Sequence, residues 1–158
     1  MVYGKFINYE NEFEDVYVIR KRVFHEEQGI PMDIIFDEDD KKAIHVVVYE
    51  DIDHKVAVGV GRIVNHGHEY KIGRVAVLKE HRGKKYGDFA VRMLINKAFM
   101  QGADSIYLNA QTESKEFYEK IGFRTVGNEF YEAGILHVRM EIIREDEVVH
   151  CCKNSKNK

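Results

Sequence analysis

IGRVAVLKEHRGKKYG, residues 72–87, decides how the chain is read. An apolar strand at Ile72–Leu78 runs into a basic turn at Lys79–Lys85, and the turn runs into an apolar helix starting at Tyr86. Strand, tight turn and helix N-terminus together make a seat for phosphate. The first N–H groups of a helix lack intrahelical partners, and the helix dipole adds partial positive charge there. Arg82, Lys84 and Lys85 supply full charges, and Gly83 and Gly87 let the backbone approach a bulky anion closely. The competing reading is a solvated basic loop. No Gly-Lys-Ser/Thr follows, so the P-loop pattern is not met, and a pyrophosphate-bearing cofactor is expected ahead of a nucleoside triphosphate.

A second stretch, NAQTESKEFYEKIGF (Asn109–Phe123), adds a resemblance. With VAVLKEHRGKKYG it resembles the GNAT superfamily of acyl-CoA-dependent N-acetyltransferases. That signature passes from an apolar strand through Arg/Gln-x-x-Gly-x-Gly/Ala into a helix, and a later helix ends in a Tyr-Glu-Lys-x-Gly-Phe-like run. The first motif falls here on Arg82, Lys85 and Gly87, the second on Tyr118–Phe123. IRKRVFHEEQGIP (Ile19–Pro31) and EAGILHVRM (Glu132–Met140) resemble the narrower ElaA/YjcF-type acetyltransferases, so the likeness covers roughly residues 3–143.

The resemblance implies an α/β fold, a mixed and mostly antiparallel sheet flanked by helices on both faces. It implies acetyl-CoA as co-substrate, no metal, and a small-molecule or peptide amine that attacks the thioester directly. The turn Arg82, Gly83, Lys84, Lys85, Tyr86, Gly87 would grip the pyrophosphate. The backbone of Val75, Ala76 and Val77 would bind the pantetheine arm, with an N–H there as oxyanion donor. Read from the residues alone, these three are core β positions, and the two readings are compatible. Two departures stand out. Lys85 occupies a position where the family usually has Gly, so a positive φ there would strain it. Gln111, seven residues before Tyr118, replaces an Asn that contacts the arm in many members, and Asn109 is placed to share that role.

Tyr118 matches the family's general acid; its competing reading is a core aromatic beside Phe117. The base used by some relatives is missing, because Ile106 stands at its position twelve residues before Tyr118. The candidates are Glu26, Glu27, Glu69 and His137. Glu26, Glu27 and His137 are expected to bind the acceptor, against the plainer readings of a helix-end surface and an exposed strand histidine. The alternative function is a non-catalytic CoA-binding sensor or interaction module, which Lys85 and Gln111 favour and Tyr118 opposes. A nucleotide-phosphate binder is disfavoured by the missing P-loop Ser/Thr.

Composition sets the frame. A chain of 158 residues suits one domain, expected at 1–145 with a polar, disordered tail at 146–158. With 44% hydrophobic residues, nine Phe and nine Tyr, there is enough apolar material for one core. The net charge of −3 gives no nucleic-acid footprint and weakly favours a cationic amine. No apolar run approaches the roughly 20 residues that span a membrane, and no signal peptide is expected. The two cysteines, Cys151 and Cys152, are adjacent in the tail, which fits a reducing cytoplasm. His150-Cys151-Cys152 and the His66/His68 pair read as tail and hairpin tip rather than as metal sites. A monomer or homodimer is expected.

Periodicity places the elements. Val2–Asn8 reads as a strand. Asn11 reads as an N-cap with Glu14 completing a capping box. The following helix shows Phe13, Val16, Tyr17, Arg20 and Phe24 on one face, with the Arg20 head reaching water. Residues 32–42, MDIIFDEDDKK, read as a loop with a solvated acidic cluster. Strands are expected at His45–Tyr49, Val56–Val64 and Glu69–Leu78, and a helix from Tyr86 to Gln101 with Val91, Leu94, Ile95 and Ala98 inward. Phe89, Met93 and Met100 widen that stripe. A strand at Ser105–Ala110, a helix capped by Thr112 or Ser114, and strands at Arg124–Tyr131 and Ile135–Ile143 complete the order.

Overall fold

The computed structural model describes residues 1–144 except 52 and 54, so His150, Cys151, Cys152 and the tail lie outside the described residues. Seven strands lie among the described residues: β1 (Tyr3–Ile7), β2 (Ile44–Tyr49), β3 (Ala57–His66), β4 (Glu69–Val77), β5 (Ser105–Gln111), β6 (Arg124–Glu132) and β7 (Ile135–Ile143). They hydrogen-bond in the order β1-β2-β3-β4-β5-β7-β6. The mixed, mostly antiparallel α/β architecture is the expected one. The described residues form two compact units, 1–64 with 72–97, and 65–71 with 98–144.

In the first unit, β1 (Tyr3–Ile7) is followed by α1 (Tyr9–Glu12) and α2 (Glu14–Arg20). Asn8, not Asn11, is the cap: it is extended, and its side chain accepts from the Glu10 N–H at 2.9 Å. α2 continues as a π-helical turn, Lys21–Glu27, in which Gln28 N–H donates to the Val23 carbonyl five residues back at 3.2 Å. Val16, Ile19, Arg20 and Val23 are buried, whereas Tyr17, expected inward, is 43% exposed.

Arg20 overturns its expected place at the water edge: it is fully buried. Its Nη1 donates to both oxygens of Asp40 at 3.0 Å, and its guanidinium lies over the rings of Phe13 and Phe36 at 5.5 and 5.4 Å. The acidic run is not a solvated loop either. It holds α3 (Met32–Ile35) and a 3-10 turn, Glu38–Lys41, with Asp40 buried. Arg62 bridges Asp40 (2.8 Å) and Asp37 (2.6 Å), and Arg74 donates to Asp37 and to the carbonyls of Ile34 and Ile35. Arg20, Asp40 and Arg62 are buried and pair with one another, which a lone buried charge could not do, while Asp37 and Arg74 extend the network to its partly exposed rim. His45 donates through Nε2 to the Asp40 carbonyl at 2.8 Å. Burial pushes its imidazole below its ordinary titration range.

β2 (Ile44–Tyr49) pairs antiparallel with β1 and with β3 (Ala57–His66), and β4 (Glu69–Val77) follows the turn at Gly67. α4 (Tyr86–Met100) buries Val91, Leu94, Ile95 and Ala98 as its period predicts, but Phe89 and Met100 are exposed. Bare glycine backbone lets it pack closely: a Cβ on Gly61 would stand 3.0 Å from Leu94.

In the second unit β4 pairs parallel with β5 (Ser105–Gln111) through Glu69–Lys71 and Ser105–Tyr107. A 3-10 turn, Thr112–Ser114, leads to α5 (Lys115–Ile121). Neither expected side-chain cap forms; Ser114 is already helical, and Lys115 N–H donates to the Thr112 carbonyl instead. β6 (Arg124–Glu132) and β7 (Ile135–Ile143) form a hairpin over Ala133-Gly134, both at positive φ (52° and 76°), the twist that two-residue hairpins need. The ladder slips between Val126 and Phe130, where 127–129 face Val138 alone and Gly127 takes φ 81°. Leu108 and Ala110 of β5 join Val138, Met140 and Ile142 of β7 in the core. No helix among the described residues is long and apolar enough to cross a membrane.

Candidate active site

The turn after β4 is shaped and clamped within the first unit. Gly83 and Lys85 both adopt left-handed φ, 84° and 66°, on either side of Lys84. Such reversals turn successive N–H groups into an anion-binding concavity, and α4 begins at once with unpaired N–H groups of its own. A Cβ at Gly83 would meet open space, so the mouth of the turn is unobstructed. Lys85 thus takes the conformation that the usual glycine takes freely, at a cost of about 1–2 kcal/mol.

The side chains of this turn face protein partners. Arg82 forms a two-pronged pair with Glu27, both bonds 2.7 Å, and donates through Nε to the Val77 carbonyl at 3.0 Å. Hydrogen bonds from Arg82 hold the Glu27 carboxyl below its ordinary range, so it stays ionised. Arg22 reaches Glu80 at 2.8 Å. Glu50 accepts from the Tyr86 hydroxyl (2.6 Å), Lys84 (3.2 Å) and His81 (3.1 Å). The Tyr86 bond, followed by Lys84, pulls its carboxyl down to about 2. Glu27 and Arg82, expected in different roles, therefore act as one strut, while Glu26 stays exposed beside them. Glu50 was not foreseen, since nothing in YEDID distinguishes it from a turn carboxylate.

The strand leading into the turn has an open edge. The β4–β5 ladder ends at Lys71, and Arg74 interrupts β4 with φ 53°. Ala76 is buried and Val75 and Val77 are half-buried, so side chains pack inward while the backbone of Ile72–Val77 lies outside that ladder.

The second unit carries the remaining candidates. Tyr118 packs edge-on against Phe117 (4.9 Å) and Phe123 (5.9 Å). Burial pushes its phenol up to about 12, and among the described residues its hydroxyl has no hydrogen-bond partner. Asn109, Gln111, His137 and Arg139 share the sheet face opposite the core, with Gln111 directly across from His137. His137 is buried, not exposed, because Phe130 stacks on it at 6.0 Å from the facing strand. Its Nδ1 donates to the Ile135 carbonyl at 2.7 Å, and its Nε2 faces Glu132 at 3.7 Å. Asn109 donates to the other oxygen of Glu132 at 3.5 Å. Glu69 is engaged by Arg139 at 3.2 Å. Among the described residues no group of three or more His, Cys, Asp or Glu could hold a metal.

Residues 24–144 match the family described as acetyltransferase (GNAT) domain. The chain is 36% identical over 132 residues to the uncharacterized N-acetyltransferase YjcF of Bacillus subtilis (strain 168), covering 83% of this chain and 92% of that one. Its fold superimposes on Escherichia coli ElaA with a TM-score of 0.78 at 25% identity, over 89% of this chain and 99% of that one. An acyl-CoA N-acyltransferase from Pseudomonas aeruginosa shares the fold, with a TM-score of 0.76 at 21% identity, over 89% and 99% of the two chains.

Proposed function

The chain belongs to the GNAT acetyltransferase family, and from that premise we propose that it moves an acetyl group from acetyl-CoA to a primary amine by direct attack. The turn Arg82–Gly87 receives the pyrophosphate through backbone N–H groups rather than through Arg82, whose guanidinium is committed to Glu27 and Val77. In the first unit the open backbone edge at Val75, Ala76 and Val77 takes the pantetheine arm. In the second, Asn109 and Gln111 are the amides we assign to the cofactor. Amine nitrogen attacks the thioester carbon, a backbone N–H steadies the oxyanion, and collapse expels the thiolate.

The observation that carries this reading is the state of Tyr118. A thiolate leaving group needs a proton, and a phenol, whose ordinary pKa is about 10, carries one at neutral pH. Its hydroxyl is free of protein partners among the described residues and can turn to a reacting atom.

The test is CoA release from acetyl-CoA with and without a panel of primary amines. Amine-dependent release is expected. Thermal stabilisation by acetyl-CoA with no release for any amine would instead mark a CoA-binding module, and neither response would end both readings.

A further inference from the structure

We infer that His137 is the general base of the transfer and that Glu132 is its positioning carboxylate; this rests on the acyltransferase reading above. A carbonyl oxygen only accepts, so the 2.7 Å contact with Ile135 fixes the proton of a neutral imidazole on Nδ1. Nε2 is then a lone pair, and it points at the Glu132 carboxylate from 3.7 Å. A lone pair facing an anion has no attraction of its own. What suits the gap is a proton, taken up by Nε2 and balanced by the carboxylate beside it. A backbone contact that sets the tautomer and a carboxylate that steadies the cation are what a catalytic histidine requires.

The pair also stands in the right company. Gln111 is the cross-strand partner of His137, and Asn109 bonds to Glu132. These two amides are the ones assigned to the cofactor arm, and cross-strand side chains lie roughly 5 Å apart. The two-residue turn at Ala133-Gly134 puts Glu132 opposite Ile135, and Phe130 opposite His137, so the hairpin holds the base and its carboxylate on one face. Glu132 is half exposed, open to an incoming cation.

The proton accounting closes. Nε2 first takes one proton from the bound ammonium, and the freed amine nitrogen then bonds to the thioester carbon. The carbon–sulfur bond breaks, and the thiolate takes the Tyr118 proton. The proton still carried by the acylated nitrogen goes to the phenolate and the imidazolium proton goes to solvent, leaving amide and free thiol.

The experiment compares the unaltered protein with His137→Gln and Glu132→Gln on two nucleophiles, propylamine, a cation at pH 7, and methoxyamine, neutral there. For His137→Gln we expect a loss of about 10²-fold or more in kcat/KM with propylamine. Transfer to methoxyamine should be largely kept and the acetyl-CoA KM unchanged. Glu132→Gln, on an exposed side chain, should show the same bias more weakly. Equal loss on both nucleophiles, or no loss, overturns the base. Independently, 15N NMR of the unaltered protein should show His137 protonated on Nδ1 at pH 7; an Nε2–H tautomer overturns the proposal without reference to turnover. Failure of the unaltered protein to acetylate these nucleophiles or any amine of the panel, with the Nδ1 tautomer present, overturns the acyltransferase reading and the base with it.

Discussion

Replacing Tyr118 by Phe removes one oxygen and keeps the ring packed against Phe117 and Phe123. A structural tyrosine would lose little. An acid should lose about 10²–10⁴-fold in kcat while acetyl-CoA affinity is held, which steady-state kinetics with a binding measurement will separate. Lys85 offers the opposite kind of change. Its φ of 66° suits glycine, so Lys85→Gly should raise stability by about 1 kcal/mol and the melting temperature by about 2–4 °C, read by calorimetry. Acetyl-CoA stabilisation should survive, because the backbone shape is retained. Single residues were unevenly legible. Tyr118 stood out through its motif. Glu132 did not, because its meaning comes from a hairpin that sets it beside His137, and GlyIle spacing in the sequence does not reveal which carboxylate a turn will present. Arg20 was misjudged for the same reason: its partner Asp40 lies twenty residues away.

At the scale of elements, the cofactor turn is braced by the π-helical segment. Glu27 holds Arg82, and Arg82 holds the last carbonyl of β4. Glu27→Gln should loosen that brace and raise the acetyl-CoA Kd by about two- to fivefold, as loss of a partly exposed ion pair would. Calorimetric titration checks this. A change confined to the amine KM would return Glu27 to the acceptor pocket. Elements with one strong period were readable: α4 showed Val91, Leu94 and Ile95 at helical spacing and buries them. The switch from α to π winding after Arg20 was not, because both windings draw on similar apolar spacing, and only hydrogen bonding such as Gln28 to Val23 tells them apart.

At the scale of the whole molecule, acid stability should report on the charge network around Arg62, whose outer carboxylate is Asp37. Hydrogen bonds from Arg62, with the charges of Arg62 and Arg74, hold Asp37 down at about 2. A depressed carboxyl contributes stability that is fully present above its unfolded value of about 4 and is lost as pH falls toward about 2. Denaturant midpoints should fall across that window, and Asp37→Asn should lower stability at pH 7 and flatten the slope. The slip in the β6 ladder bears on behaviour in concentrated solution. β6 ends the strand order and all but Phe130 of its residues are exposed, which would make a straight edge a template for further chains. The bulge at 127–129, with Gly127 left-handed, bends that edge out of register with any neighbour. Removing residues 127 and 128 would straighten it, and light scattering should then rise with concentration where the parent stays level: the irregularity is a safeguard against aggregation.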